Sequence, residues 1–363
     1  MAEKRIYLAI GEEAARGTKE SAAVGFIPLL NPGIPKITFD DKRQAEWRGE
    51  EAVKGDISVR RMSRRWSASL ETPFFTEAGG VKGMTGTILK HFFGKAASMQ
   101  NNATGQYGHM FYPVPNPFDA GNIGDKALTL NLNINEGAVM KNWPFVGGRV
   151  MSLTFSQEAG GHLLMSCEFF GQKRDGAAPE IGAAVFAAEN LRCDFNNVKV
   201  YTGALTRIGA APDYTDFTFD NATSLRPDKL TLKIENGMED ALRLSGLDYP
   251  DKTRMGKFKV SLDMTLDWED PASGFSSVDE FNSWLGGASS TNFCAVWDTG
   301  TQAGTGGNHG LIVDVPIAHR LGGDPDYSLE KDPMISLKYE GLYDAATTKY
   351  LVGILLKNTA SAV

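Results

Sequence analysis

Between residues 257 and 268 the apolar side chains Phe258, Val260, Leu262, Met264, Leu266 and Trp268 alternate without a break with Lys, Ser, Asp and Thr. A period of two puts all six on one face of a strand, where no helix could gather them. A strand with one continuous apolar face must bury it against other elements, so this segment alone commits the chain to a sheet with a core. The same alternation recurs at Trp66, Ala68 and Leu70, within the run 55–70 that Pro73 closes, and at Leu128, Leu130, Leu132 and Ile134. Glu158-Ala159-Gly160-Gly161 supplies a turn between a strand at 149–156 and the face formed by Leu163, Met165, Cys167 and Phe169, which predicts a hairpin. Further strands are expected at 107–114, 191–200, 229–235, 292–297, 310–316, 334–342 and 349–357.

Two stretches carry helical spacing instead. Met84, Ile88, Leu89, Phe92 and Phe93 form the stripe of a short helix that Gly94 ends. Phe281, Trp284 and Leu285 form a second, started by the capping pattern Ser277-Val278-Asp279-Glu280 and stopped by Gly286 and Gly287. With 40 Gly and 16 Pro available for turns, the expected class is mainly β (α+β): a β-sandwich or barrel with one short flanking helix per half. A length of 363 residues suits two domains, and the small-residue stretch 171–189 places the boundary, giving 1–175 and 176–363. Leu128-Thr129-Leu130-Asn131-Leu132 echoes Leu230-Thr231-Leu232-Lys233-Ile234. That echo leaves open a duplication or a coincidence of common strand composition.

A formal charge of −7 and a pI near 5.4 argue against a general nucleic-acid binder, which needs clustered cations to neutralise phosphates. An acidic wall can nevertheless surround a polyanion and let it slide. Cys167, Cys193 and Cys294 lack metal-site spacing and read as reduced core residues. His91, His109, His162, His309 and His319 lie far apart, with no pair at helical metal spacing. Neither a G-x-S-x-G elbow nor a phosphate loop occurs, and the glycine-rich run from Gly300 to Gly307 is not followed by Lys. Catalytic, cofactor-binding and metal-binding residues are therefore not assigned, and no cofactor is expected. The start of the chain does not read as a secretory signal and no run reaches a membrane-spanning length, so a cytoplasmic protein with no membrane insertion of its own is expected.

Charge is densest near the first strand. Residues 31–55 form a polar, weakly periodic arm bearing Asp40, Asp41, Glu50 and Glu51, and Arg60, Arg61, Arg64 and Arg65 follow at the strand entry. No aromatic interleaving supports a nucleic-acid groove, so these eight residues are nominated as contacts between subunits. An arm of this length has a purpose in assembly, where it becomes ordered on a partner.

In order, Ile10-Gly11-Glu12-Glu13 with Gly17-Thr18 and Ile27-Pro28-Leu29, then Leu89-Lys90-His91-Phe92-Phe93-Gly94, then His109-Met110-Phe111, resemble the tail tube proteins of long-tailed, non-contractile (siphovirus) bacteriophages. The second half strengthens the likeness: residues 230–239 precede the long strand from Gly256 to Trp268-Glu269-Asp270, and Asp314-Val315-Pro316 follows a helix. The resemblance implies a structural subunit, not an enzyme, whose strands join those of its neighbours around a lumen. Its rings, trimeric if the chain holds two tandem tube-like domains and hexameric otherwise, would stack into a tube that conducts genomic DNA from capsid to host. It further implies a tape-measure protein and tail terminator or tip proteins as partners, and a place in the virion tail after assembly in the host cytoplasm. Two rivals stand beside it. One is a β-sandwich carbohydrate-binding module or glycosidase-like enzyme, for which Trp47 and Trp143 are the candidate exposed aromatics and carboxylate pairs such as Glu12-Glu13 and Asp267 with Glu269 the candidate acids. The other is the haemolysin-coregulated tube protein of type VI secretion, whose subunits are typically much shorter.

Overall fold

The alternating runs form strands, and every strand pairing among the described residues is antiparallel. The computed structural model describes residues 6–20, 24–30, 33–44, 58–77, 84–100, 105–119, 121–136, 139–179, 181–182, 184–287, 290–327 and 332–361. In chain order they hold β1 (Ile6–Glu12), β2 (Val24–Ile27), β3 (Lys36–Gln44), β4 (Ser58–Pro73), helix α1 (Met84–Phe93), β5 (Ala96–Gln100), β6 (Tyr107–Phe111), β7 (Leu128–Glu136) and β8 (Val139–Glu158). Next come β9 (Leu164–Gly171), β10 (Lys173–Arg174), β11 (Ala178–Pro179), β12 (Val198–Ala210), β13 (Asp213–Leu225), β14 (Lys229–Glu235), β15 (Glu239–Ala241), β16 (Lys252–Arg254) and β17 (Lys259–Asp267). Helix α2 (Ser277–Leu285), β18 (Ser290–Gln302), β19 (Asn308–Gly322), β20 (Pro325–Asp326), β21 (Met334–Gly341) and β22 (Gly353–Asn358) complete the chain. The fold is mainly β with two short helices, as the periodicities predict.

The pairing order carries information that the strand list does not. In the first half the neighbours run β2–β1–β7–β8–β9–β4–β3, with α1 following β4. In the second they run β13–β12–β18–β19–β21–β17–β14, with α2 following β17. These are the same seven-strand arrangement. Two β-bulges recur at matching places: Leu128 and Leu130 face Gly148 and Phe145 as Thr291 and Phe293 face Ala318 and Val315, and the ladder also skips a residue after Val150 as it does after Arg320. Both coincidences set β8 and β19 170 positions apart. The pentads that echo in sequence fall in β7 and β14, which hold different places in this order.

The two arrangements are joined along β8–β14, where Leu232 faces Phe155 and Ile234 faces Leu153. The β5–β6 hairpin extends from the first half onto β22 of the second. One large core runs through both halves, from Leu8 and Trp66 to Val313 and Leu356. A smaller core of Met110, Tyr112, Tyr214, Phe217, Cys294, Ile312, Tyr350 and Leu355 lies where the β12–β13 hairpin covers β6, β18, β19 and β22. All three cysteines are buried and free.

Several expectations are corrected here. Residues 36–44 of the arm are a strand paired with β4, not a loop, because Lys36 to Gln44 lies against Ser67 to Ser58 in a hairpin. The strand expected at 191–200 begins only at Val198, after two 3-10 turns, and continues to Ala210. The cap of α2 is Ser276, whose hydroxyl accepts from the Asp279 N–H at 2.9 Å, while Ser277 bonds to Asp267 and Glu269 instead.

Candidate assembly surface

The β3–β4 ribbon changes character along its length. Near its root Trp66, Ala68 and Leu70 are buried on one face. Beyond Trp66 β4 has left β9, so its second edge has no strand partner among the described residues and Phe39, Val59 and Met62 are exposed, while Ser63 stays buried. A two-stranded ribbon with exposed apolar side chains is marginal alone, which makes it a surface that other chains can complete.

The nominated charges are distributed unevenly on it. Arg61 lies 3.4 Å from Asp41 and 3.7 Å above the Phe39 ring. Arg64 reaches Asp248 at 3.0 Å and its backbone N–H donates to the Asp248 carbonyl, tying the ribbon to the β15–β16 loop. Arg60, Arg65 and Asp40 are exposed, with no ion partner among the described residues. Glu50 and Glu51 lie outside the described residues. The ion pairs seen on the ribbon are thus within the chain, and exposed pairs of this kind contribute roughly 0–1 kcal/mol.

The candidate chemical residues are dispersed. Glu12 binds Lys90, His91 and Lys126; burial works against ionisation, yet these three partners hold its carboxyl well below the usual range. Its neighbour Glu13 is buried separately, accepting from the Gly147 and Gly17 N–H groups and Thr129. His109 contacts Asn358 and His162 contacts Asp194. Among the described residues no group of three His, Cys, Asp or Glu side chains is arranged to hold a metal. Trp143 is half-buried beneath Arg174, 4.4 Å from its ring, which removes it as an exposed sugar platform, and Trp47 lies outside the described residues. The glycine-rich run 300–307 is the end of β18 and the turn that leads into β19.

One buried acid stands apart, and the sequence carried no signal for it. Glu77 is buried before α1, with Oε1 accepting from the Gly86 N–H at 3.0 Å and Oε2 without a partner among the described residues. Burial among Phe26, Phe75, Met84 and Val185 pushes its pKa up to about 7. Because the folded pKa lies above the unfolded value, stability is expected to fall as pH rises from about 4.5 to about 7, by at most about 3 kcal/mol. Urea unfolding of Glu77→Gln between pH 5 and 8 should show a flatter profile than the parent.

Among the described residues the chain is mainly β, and its β3–β4 ribbon projects beyond the sheet it grows from. The sequence model of the family described as phage tail tube protein matches residues 3–340. The chain belongs to that family, and it is accordingly a structural component of a phage tail. A comparison with curated proteins returns no match.

Proposed function

We propose that the protein is the repeating subunit of a non-contractile, siphovirus-type tail tube, polymerising into stacked rings whose lumen conducts genomic DNA. The observation that carries this reading, beside family membership, is the seven-strand order present twice in one chain. Two tube-like units correspond to the halves 1–175 and 176–363, with the junction between β10 and β11. Three chains then supply six such units per ring. The net charge of −7 keeps the assembly from gripping phosphate, so DNA passes without specific binding. Assembly in the host cytoplasm, a tape-measure protein and terminator or tip proteins complete the proposal.

Negative-stain electron microscopy of the purified protein, with its mass in solution, tests the reading. Hollow tubes or rings with six densities and the mass of three chains are expected. Rings of six chains would contradict the two-unit assignment, and a monomer that stays dispersed at high concentration and in the presence of the tape-measure protein would contradict the tube.

A further inference from the structure

The internal repeat contains a seam that a lone chain can form only once. Within the chain, β14 of the second half adds to the outer edge of β8, from Lys229 opposite Glu158 to Glu235 opposite Ser152. The counterpart of β14 is β3, because each pairs with the strand that precedes a helix: Lys36 faces Ser67 as Lys233 faces Ser261. The counterpart of the 152–158 edge, 170 positions on, begins at Gly322 and runs through β20. Among the described residues neither β3's second edge nor the edge of 321–327 opposite β21 has a strand partner.

We propose, resting on the polymerisation reading, that successive copies join by this same seam: the outer edge of β3 in one copy adds to residues 321–327 of the next. Transferring the β8–β14 register places Phe39 opposite Leu321 and Lys36 opposite Asp324. The first pair joins two exposed apolar side chains, 41% and 59% accessible, and the second joins opposite charges. The helices supply an independent observation. Phe92, two residues before the positive-φ Gly94, is fully buried; residues of the second half contribute to its surroundings, with Phe258 5.8 Å from its ring and Asn236 Nδ2 donating to its carbonyl. Leu285, two residues before the positive-φ Gly287, holds the corresponding place on α2 and is 63% exposed. Leu285 is thus open on the side where the second half meets Phe92, and β3 of a second copy brings Phe39 to the place that Asn236 occupies.

Pro35 and Pro325 fall opposite each other in this register. In the internal seam Asn236 N–H donates to Met151 O and Ala159 N–H to Asp228 O, so alternate residues, Leu232 and Phe155 included, point their backbone groups across it. The prolines hold those positions on the free edges and withhold the N–H. The ladder therefore skips one step, and each edge is a poor template for a stray strand. The contact is head to tail, and it closes into a ring where the rotation between copies permits.

The test is a disulfide between copies. Lys36→Cys/Asp324→Cys protein, assembled and oxidised, is expected to run as a ladder of covalent oligomers, with either single variant staying monomeric on the gel; the native cysteines are buried and do not interfere. Phe39→Asp and Leu321→Asp, both at exposed positions, should keep the monomer's circular dichroism and lose polymerisation. Tubes that form without the cross-link would overturn the seam while leaving the tube reading intact. Failure of the parent protein to assemble at all would overturn both.

Discussion

Asp314→Ala is expected to lower stability by roughly 3–5 kcal/mol, the range for removing one partner of a buried ion pair. Asp314 lies fully buried on β19, and its two oxygens accept from Arg207 Nε at 2.8 Å and Nη2 at 2.9 Å, while Tyr350 OH donates to one of them at 2.5 Å. Burial and the adjacent carboxylate together hold the Tyr350 phenol far above its usual range. Arg207 sits on β12, so this cluster pins the β12–β13 hairpin over the smaller core, together with Tyr112 to Asp213 and Lys357 to Asp216. Without Asp314 the guanidinium is left 13% exposed with no counter-charge. Urea unfolding should show the loss, and hydrogen exchange should show it concentrated in 198–225. Arg207→Met combined with Asp314→Leu should recover most of it, because no lone charge remains buried.

Trp66→Ala is expected to cost about 3–5 kcal/mol, as large-to-small changes of buried aromatics do. The indole is fully buried, donates to Val146 O at 2.9 Å and meets Phe145 edge-on at 5.7 Å. It also fills the space above two glycines. A Cβ at Gly171 would lie 2.4 Å from the ring, and one at Gly148 2.9 Å from it. Gly171→Ala is therefore destabilising in the parent and should be tolerated much better beside Trp66→Ala. That coupling, read from thermal melts of the two single variants and the double, separates a shape-matched contact from general loss of apolar area.

Trp66 was legible as a core residue from its alternation with Ser67 and Ser69, but its glycine partners were not, since Gly148 and Gly171 are brought to it from β8 and β9. The second half of β8 was legible and the first half was not. Residues 144–148 are buried without a break, between β7 on one edge and β10 against 145–146 on the other, which erases the contrast between faces. The strands β3 and β13, and β12 beyond Val200, escaped for the opposite reason: their outer stretches are polar or exposed on both faces, so a period of two has nothing to mark. The nominated charges on the ribbon were readable as charges. That Arg61 and Arg64 already have partners within the chain depends on a hairpin register and on a loop 184 residues away at Asp248.

By itself the sequence determined the class of fold, the two helices with their glycine stops, and the apolar faces of the strands that alternate most clearly, such as β7, β9 and β17. These are local properties, set by side-chain spacing over a few residues and by the backbone freedom of glycine. Only the tertiary structure decided which strand lies beside which, and so the seven-strand order shared by the halves and the free edges of β3 and of 321–327 among the described residues. Pairing is made by backbone N–H and C=O groups that nearly every residue carries alike, so the choice of neighbour is written in how whole faces pack and not in any short stretch of side chains.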